Sequence, residues 1–280
     1  MRHALLVAVL LGTAMAVVAE ELPLRVMTFN VRYGTAMDGK NAWAKRRDIL
    51  VNCVKASSPD ILGVQECLDF QAEHIAAQLP DYRWMGIGRD QNGKGEMTAV
   101  LYRHASLVPV SVRHFWLSEQ PDVPGSVSWD SSLTRMATLV RFHHPATGRF
   151  FLYVNTHFDH KGEQARQESV GVVSRELEKE DQTLPVIFTG DYNAAAGNSE
   201  PYRRAMEAGF RDTWTEAPER RGPSLTWSGF EAPKEGVDSR IDWILFRGAV
   251  EPQWCETVLY NEDGRYPSDH YPVVAQLTLK

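Results

Sequence analysis

Four short apolar runs, spread along the 280 residues, each end on a carboxylate, an amide or an imidazole, and a fifth polar cluster opens the last run. The four are Val26-Met27-Thr28-Phe29-Asn30, Ile61-Leu62-Gly63-Val64-Gln65-Glu66, Leu152-Tyr153-Val154-Asn155-Thr156-His157 and Val186-Ile187-Phe188-Thr189-Gly190-Asp191-Tyr192-Asn193; the fifth cluster is Ser268-Asp269-His270. Apolar runs of roughly four to eight residues read as buried strands. Polar groups at strand ends sit where α/β proteins gather ligands and catalytic groups. Several such ends converging would form a pocket of hard oxygen ligands for a metal, with imidazole beside it, which is the equipment for cleaving a phosphoester.

Hydrophobic residues make up 43% and charged ones 24% of the chain, ordinary for a soluble globular protein. The length suffices for a large core. The formal charge is -6, so the chain gains no general counterion-release attraction to DNA or RNA. A small or locally charged substrate is favoured over long nucleic acid. The chain starts Met1-Arg2-His3, continues with an apolar stretch from Ala4 to Ala19 and then reads Glu20-Glu21. A short basic start, an apolar run and small residues at its end form a secretory signal peptide. Cleavage is expected after Ala19, leaving 20–280 as the exported, secreted or periplasmic protein. The run is shorter than the roughly 20 residues of a membrane span, and no stable span is expected elsewhere. Cys53, Cys67 and Cys255 are odd in number and lack a CxxC pair, so neither a disulfide framework nor a zinc ribbon is indicated.

No repeat, low-complexity tract or Pro/Ser linker divides residues 20–280, and one domain, as a monomer, is expected there. Trp43 to Ala56 reads as a helix with Ile49, Leu50, Cys53 and Val54 on its apolar side, stopped by Ser57-Ser58-Pro59. Further helices are expected over Asp69 to Leu79, Gln164 to Lys179 and Pro201 to Ala208. Strands are expected over Val100 to Tyr102, Val108 to Phe115, Ala137 to Phe142, Phe150 to Asn155, Ile241 to Phe246 and Val273 to Leu279. Several strands follow one another without a crossover helix. That mixture favours an α/β fold of mixed sheets packed face to face, with helices outside, over a doubly wound parallel sheet.

Each polar segment offers a chemical role beside a bland one. Asp191 and Asn193 lie two residues apart, so a carboxylate able to accept a proton from water and an amide able to donate to a phosphoryl oxygen can face one cleft. The same residue types are common turn formers. His157 closes a strand and is a candidate to protonate a leaving oxygen or hold a phosphoryl oxygen. Asp159 and His160 are candidates to orient it or bind metal, against a merely exposed histidine pair. Asp269 beside His270 lets one residue ligate metal while the other faces the reacting phosphate. Asp242, flanked by residues that bury, needs a partner. His270 is the natural one, its tautomer then being fixed, and Arg240 is the structural alternative. Glu66 offers the hard oxygen that Mg²⁺ or Mn²⁺ prefers.

Taken in order, the motifs MTFNVR, VQE, NTHFDH, TGDYNA, RIDWIL and SDHYP resemble the endonuclease/exonuclease/phosphatase superfamily, which has the DNase I-like fold, from Val26 to Pro272. The resemblance implies a four-layer α/β sandwich, two mixed β-sheets face to face and flanked by helices. It implies Asn30 as an amide that helps place phosphate and metal, Glu66 as principal Mg²⁺ (or Mn²⁺) ligand and Asp269 as the second metal-side carboxylate. His157 falls where members hold the phosphoryl group or protonate the leaving group, Asp191 where they orient or deprotonate water, and Asn193 where they contact phosphate. Asp242 and His270 match the family's Asp–His pair.

Specificity is expected from the segments between these motifs. Glu96 can reach the cleft edge, and Arg135 and Arg166 are natural phosphate clamps. Trp116 and Trp129 could stack on a base or sugar, but core packing is the favoured role. The combination of FWLS, SWD, TRMAT, THFDH and AR is similar to a bacterial secreted branch distantly similar to deadenylase-like members. The reading favours a metal-dependent phosphoesterase acting on a small phosphorylated metabolite, sugar or lipid headgroup. An extracellular nuclease and a non-catalytic module that keeps the fold are the alternatives.

Overall fold

A computed structural model describes residues 20–280, so the expected signal segment lies outside the described residues. In chain order the strands are β1 (Leu22–Asn30), β2 (Ile61–Gln65), β3 (Tyr82–Met85), β4 (Val100–Arg103), β5 (Val108–Trp116), β6 (Met136–His144), β7 (Arg149–His157), β8 (Val186–Asp191), β9 (Arg211–Asp212), β10 (Glu219–Arg221), β11 (Asp242–Arg247), β12 (Val250–Thr257) and β13 (Val273–Leu279). The helices are α1 (Trp43–Ser57), α2 (Asp69–Gln78), α3 (Glu163–Leu177), α4 (Glu200–Glu207) and the short α5 (Thr213–Glu216). Among the described residues the strands form two mixed sheets, ordered β10-β12-β13-β1-β2-β4-β3 and β5-β6-β7-β8-β11-β9. The expected architecture, an α/β sandwich of two mixed sheets with helices outside, is what the chain adopts.

Side chains alternate across a strand, and that alternation builds the layers. Val26 on β1, Phe151 and Tyr153 on β7, Ile187 on β8, Ile244 and Phe246 on β11, and Ala275 and Leu277 on β13 share the core between the sheets. The intervening residues face outward. Met27, Phe29, Leu62 and Val64 meet α1 and α2, while Leu152, Val154, Phe188 and Trp243 meet α3 and α4.

Toward one end of the sandwich the inner rows turn polar. Thr28, Gln65, Asn155 and Thr189 are fully buried there. They are joined across the sheets: Gln65 Nε2 donates to Thr28 Oγ1 (3.0 Å) and to Asn155 Oδ1 (2.7 Å), and Thr189 Oγ1 donates to the Tyr153 hydroxyl (2.8 Å). Gly63 gives this layer its room, since a Cβ there would lie 2.5 Å from Asn155 Oδ1. A buried network of this kind fixes the relative position of the two sheets, although Gln65 Oε1 has no hydrogen-bond partner among the described residues.

Four strands, β3, β9, β10 and β12, are not among those expected from the sequence. β12 alternates buried and exposed residues and pairs with β13 through a register shift at Pro252. Proline is unexpected inside a paired strand, and the irregularity is what admits it. Cys53, Cys67 and Cys255 are buried free thiols. Among the described residues no helix is long and apolar enough to cross a membrane.

Candidate active site

Strand direction gathers the polar residues at one end. β1 and β2 are parallel, pairing Asn30 with Gln65, and β7 and β8 are parallel, pairing His157 with Asp191. β11 runs antiparallel to β8 and starts opposite its end, pairing Asp242 with Asp191. β13 is antiparallel to β1, so Asp269 and His270, just before it, arrive beside Asn30.

An aromatic follows each of His157, Asp191 and Asp242, and points to the opposite face. Tyr192 stacks on Trp243 with centroids 4.1 Å apart and meets Phe158 and Phe188 edge-on at 5.0 and 5.1 Å. All four rings are fully buried. Large buried rings stabilise strongly and tolerate little displacement, so this cluster anchors the polar residues that project the other way.

Asp191 is the hub. Its Oδ2 accepts from Asn30 Nδ2 (2.9 Å) and lies 3.5 Å from His157 Nε2 and 3.8 Å from His270 Nε2, while Oδ1 accepts from the Asn193 backbone N–H (2.9 Å). Burial, then the charge of Asp242, pushes its carboxyl up to about 7, against the opposing pull of His270 and the amide donors. His270 Nδ1 is 2.9 Å from Asp242 Oδ2. Burial alone would lower this imidazole, but Asp242 and Asp191 outweigh it and raise the group well above its ordinary value. Asp242 therefore pairs with His270, as expected; the alternative partner, Arg240, pairs with Asp212.

Asn193 Nδ2 lies 3.1 Å from both the Phe158 carbonyl and His157 Nε2. A carbonyl only accepts, which identifies this atom as the amide nitrogen, and an amide nitrogen only donates. His157 Nε2 thus accepts, and the ring proton is on Nδ1. Burial, with Arg135 and Arg89 nearby, holds His157 well below its ordinary value, hence neutral. Both Asn193 amide hydrogens are engaged with protein, so the donation to phosphate expected of Asn193 is absent in this geometry. The unprotonated Nε2 likewise makes His157 a partner of Asn193, not an acid at that nitrogen.

The second carboxylate pair is differently housed. Glu66 Oε1 accepts from Asn30 Nδ2 (3.1 Å) and Oε2 from the Tyr33 backbone N–H (2.9 Å). Arg32 reaches both acids, with Nε 3.6 Å from Asp269 Oδ2 and Nη1 4.0 Å from Glu66 Oε2, while its main partner is Asp38. Burial raises the Asp269 carboxyl and the charge of Glu66 adds to the effect. Two acids that repel each other at an open cleft are a donor set suited to a hard divalent cation. Asp191, Asp242 and His270 also bring ligand-type atoms within 4.8 Å of one another. There, however, the Nδ1 of His270 and Oδ2 of Asp242 already occupy each other, so that cluster is better suited to holding and moving protons.

Glu66, Glu96, Arg135, His157, Asp191, Asn193, Asp269 and His270 line one cleft of ≈ 610 Å³, a size that suits a small ligand. Asp242 stands behind His270. Asn30 is fully buried and both amide hydrogens go to Glu66 and Asp191, so in this geometry it positions those carboxylates and has no hydrogen left for the phosphate expected of it. Arg166 is corrected. It donates to the Asp159 carbonyl (3.0 Å) and lies along a neighbouring groove. Asp159 neither orients His157 nor faces the cleft; its carboxylate takes the N–H groups of Leu133, Lys161 and Gly162 and the Ser132 hydroxyl. Trp116 is buried, its Nε1 donating to the Arg89 carbonyl, and Trp129 packs against the outer core, so neither stacks on a ligand.

Arg32, Tyr33 and Trp227 line the cleft without having been singled out. Arg46, buried beneath it, donates to the carbonyls of Val31, Arg32, Asn41 and Pro267, tying the β1 loop to the segment before Asp269. Arg32, Glu66 and Asn193 are non-glycine residues with φ of 57°, 58° and 48°. Such left-handed residues are uncommon and cluster at functional sites.

The profile of the Endonuclease/Exonuclease/phosphatase family matches residues 27–270. An endonuclease/exonuclease/phosphatase family protein from Bacteroides thetaiotaomicron is 31% identical with a TM-score of 0.87, covering 94% of this chain and 97% of its own. A mannosyl-6-phosphatase from the same organism is 32% identical, TM-score 0.84, over 91% of this chain and 99% of its own. Zebrafish TDP2 complexed with a single-strand DNA product shares the fold at a TM-score of 0.71 with 18% identity, covering 91% of this chain and 98% of its own. The match runs through every strand end that supplies the cleft, and the chain belongs to the endonuclease/exonuclease/phosphatase family.

Proposed function

We propose that this chain is an exported phosphoesterase that hydrolyses a phosphodiester or phosphomonoester of a small phosphorylated compound by in-line attack of an activated water. The observation that carries this reading is Asp191, a buried carboxyl brought to about 7, facing a cleft that also presents Glu66 and Asp269. A carboxylate with such a value is matched to accepting a proton from water near neutral pH. Asn30 and the Asn193 backbone hold it in place, and the Asp242–His270 pair brings positive charge to the site where phosphoryl oxygens would gain negative charge. A bound Mg²⁺ or Mn²⁺ would supply further neutralisation of the phosphoryl group, and Glu66 and Asp269 are the residues placed to hold it.

The similarity to a mannosyl-6-phosphatase supports a small phosphorylated substrate, as does the acidic net charge of -6. The basic start, apolar run and small residues of Met1 to Ala19 support export. The test is release of p-nitrophenol from p-nitrophenyl phosphate and bis-p-nitrophenyl phosphate with added Mg²⁺ or Mn²⁺. Asp191→Ala, folded by circular dichroism, is expected to reduce turnover about 10²–10⁴-fold. Undiminished turnover would refute the role given to Asp191.

A further inference from the structure

We infer that one wall of the cleft reads the hydroxyl groups of a polyol, so that the phosphoryl group of the substrate is carried on a sugar or cyclitol; this deepens the phosphoesterase reading and rests on it. The wall consists of Arg135, His160 and Glu96, all lining the cleft. Arg135 is 4% exposed. Its Nε lies 3.4 Å from Asp159 Oδ2 and its Nη2 3.0 Å from His160 Nδ1. Its Nη1 is buried and has no hydrogen-bond partner among the described residues. A buried donor left unmatched is costly, and natural sites keep one where a ligand or water completes it.

The neighbours of Arg135 set the rest of the pattern. A guanidinium only donates, so His160 Nδ1 accepts and the ring proton is on Nε2, a second donor. Glu96 is held by a two-pronged pair with Arg89, both contacts at 2.8 Å. Each carboxylate oxygen retains a lone pair beyond those contacts, so Glu96 adds an acceptor. A recess of ≈ 10 Å³ is shared by Arg135, Glu96 and His157, room for about one oxygen atom.

The Arg135 donor and the Glu96 acceptor, side by side around space for a single oxygen, with the His160 donor on the adjoining cleft wall, match the chemistry of hydroxyl groups, each of which donates and accepts. A phosphoryl oxygen only accepts and would be repelled by Glu96. A base edge exceeds the recess, and an acyl chain would leave the Arg135 donor unmatched. A site built to hydrogen-bond a hydroxyl discriminates sharply against analogues that lack it.

The experiment measures kcat/KM with Mg²⁺ for mannose 6-phosphate, glucose 6-phosphate, myo-inositol 1-phosphate and p-nitrophenyl phosphate in the wild type, His160→Ala and Glu96→Gln. His160 is exposed, so its truncation leaves the core intact, and thermal melts verify both variants. At least one polyol phosphate is expected to be a substrate, and for it each variant loses about 10–100-fold, mainly through KM. The loss on p-nitrophenyl phosphate is expected to stay within about 3-fold. Equal losses on both kinds of substrate would overturn the inference, because the wall would then touch the phosphoryl group or serve structure alone. Unchanged kinetics would overturn it too, as the recess would hold only water. Turnover of p-nitrophenyl phosphate without any polyol phosphate sinks this inference and spares the phosphoesterase reading; no turnover of any phosphoester sinks both.

Discussion

The cleft contains two groups of acids that differ in surroundings more than in composition. Asp191 and Asp242 are 1% and 0% exposed, with two imidazoles at hand. Asp269 and Glu66 stand nearer the opening, with side chains 12% and 17% exposed, and Arg32 reaches both. Burial and mutual repulsion in the first group raise Asp191 into the range where protons exchange near neutrality. Access and hard oxygens in the second suit a cation that must enter from water. On the proposed reading, four similar carboxylates thus acquire two functions through depth and neighbours. Asn30 joins the groups by donating to Glu66 and to Asp191, at 3.1 and 2.9 Å.

Breaking the deep group while leaving the shallow one intact should have the largest effect. Asp242→Asn removes the charge that keeps His270 protonated, and kcat at saturating Mg²⁺ is expected to fall about 10²–10³-fold with little change in the Mg²⁺ dependence. A variant in which kcat survives and only the Mg²⁺ requirement changes would merge the two groups.

The link between the groups can be tested through pH. Asn30 donates to the ionised form of Asp191 and so opposes the upward shift. In Asn30→Leu that restraint is lost, Asp191 titrates higher, and the acid limb of kcat/KM moves to higher pH. Activity at about pH 6 should then fall more than activity at about pH 8, a contrast that follows from losing a hydrogen bond to the charged form. An unmoved limb would dissociate Asn30 from Asp191.

The smallest effect is expected at the anchor. Tyr192→Phe keeps the ring that stacks on Trp243 and loses the bond from its hydroxyl to the Phe188 carbonyl (3.1 Å). The cost should be about 1 kcal/mol in denaturant-monitored stability, with activity within about 2-fold. A large kinetic loss with unchanged stability would mean that the anchor does more than hold position.

Much of this arrangement was legible in the chain because it depends on local alternation. The inner rows Val26-Thr28-Asn30 and Ile187-Thr189-Asp191 pass from apolar to polar at period two, and the aromatics after His157, Asp191 and Asp242 mark the face turned away from the cleft. The order of motifs then placed Glu66, Asp269 and His270 with them. Other features depend on contacts between remote segments. Arg46 looks like any helical arginine until four carbonyls surround it, and Trp227 reaches the cleft because its loop bridges to His270. Arg166 resembles a phosphate clamp by composition, yet the carbonyl of Asp159 takes its guanidinium. Asn30 and Asn193 stand at the cleft end of their strands, but their amide hydrogens go to protein and not to phosphate, a count visible only once their partners are.

The division between the two groups is tested most directly by calorimetric titration of Mn²⁺ into the wild type, Glu66→Gln and Asp242→Asn, with no substrate present. Binding is expected in the wild type, weakened at least about 10-fold in Glu66→Gln and retained in Asp242→Asn. Retention in Glu66→Gln together with loss in Asp242→Asn would put the cation among Asp191, Asp242 and His270 and contradict the account.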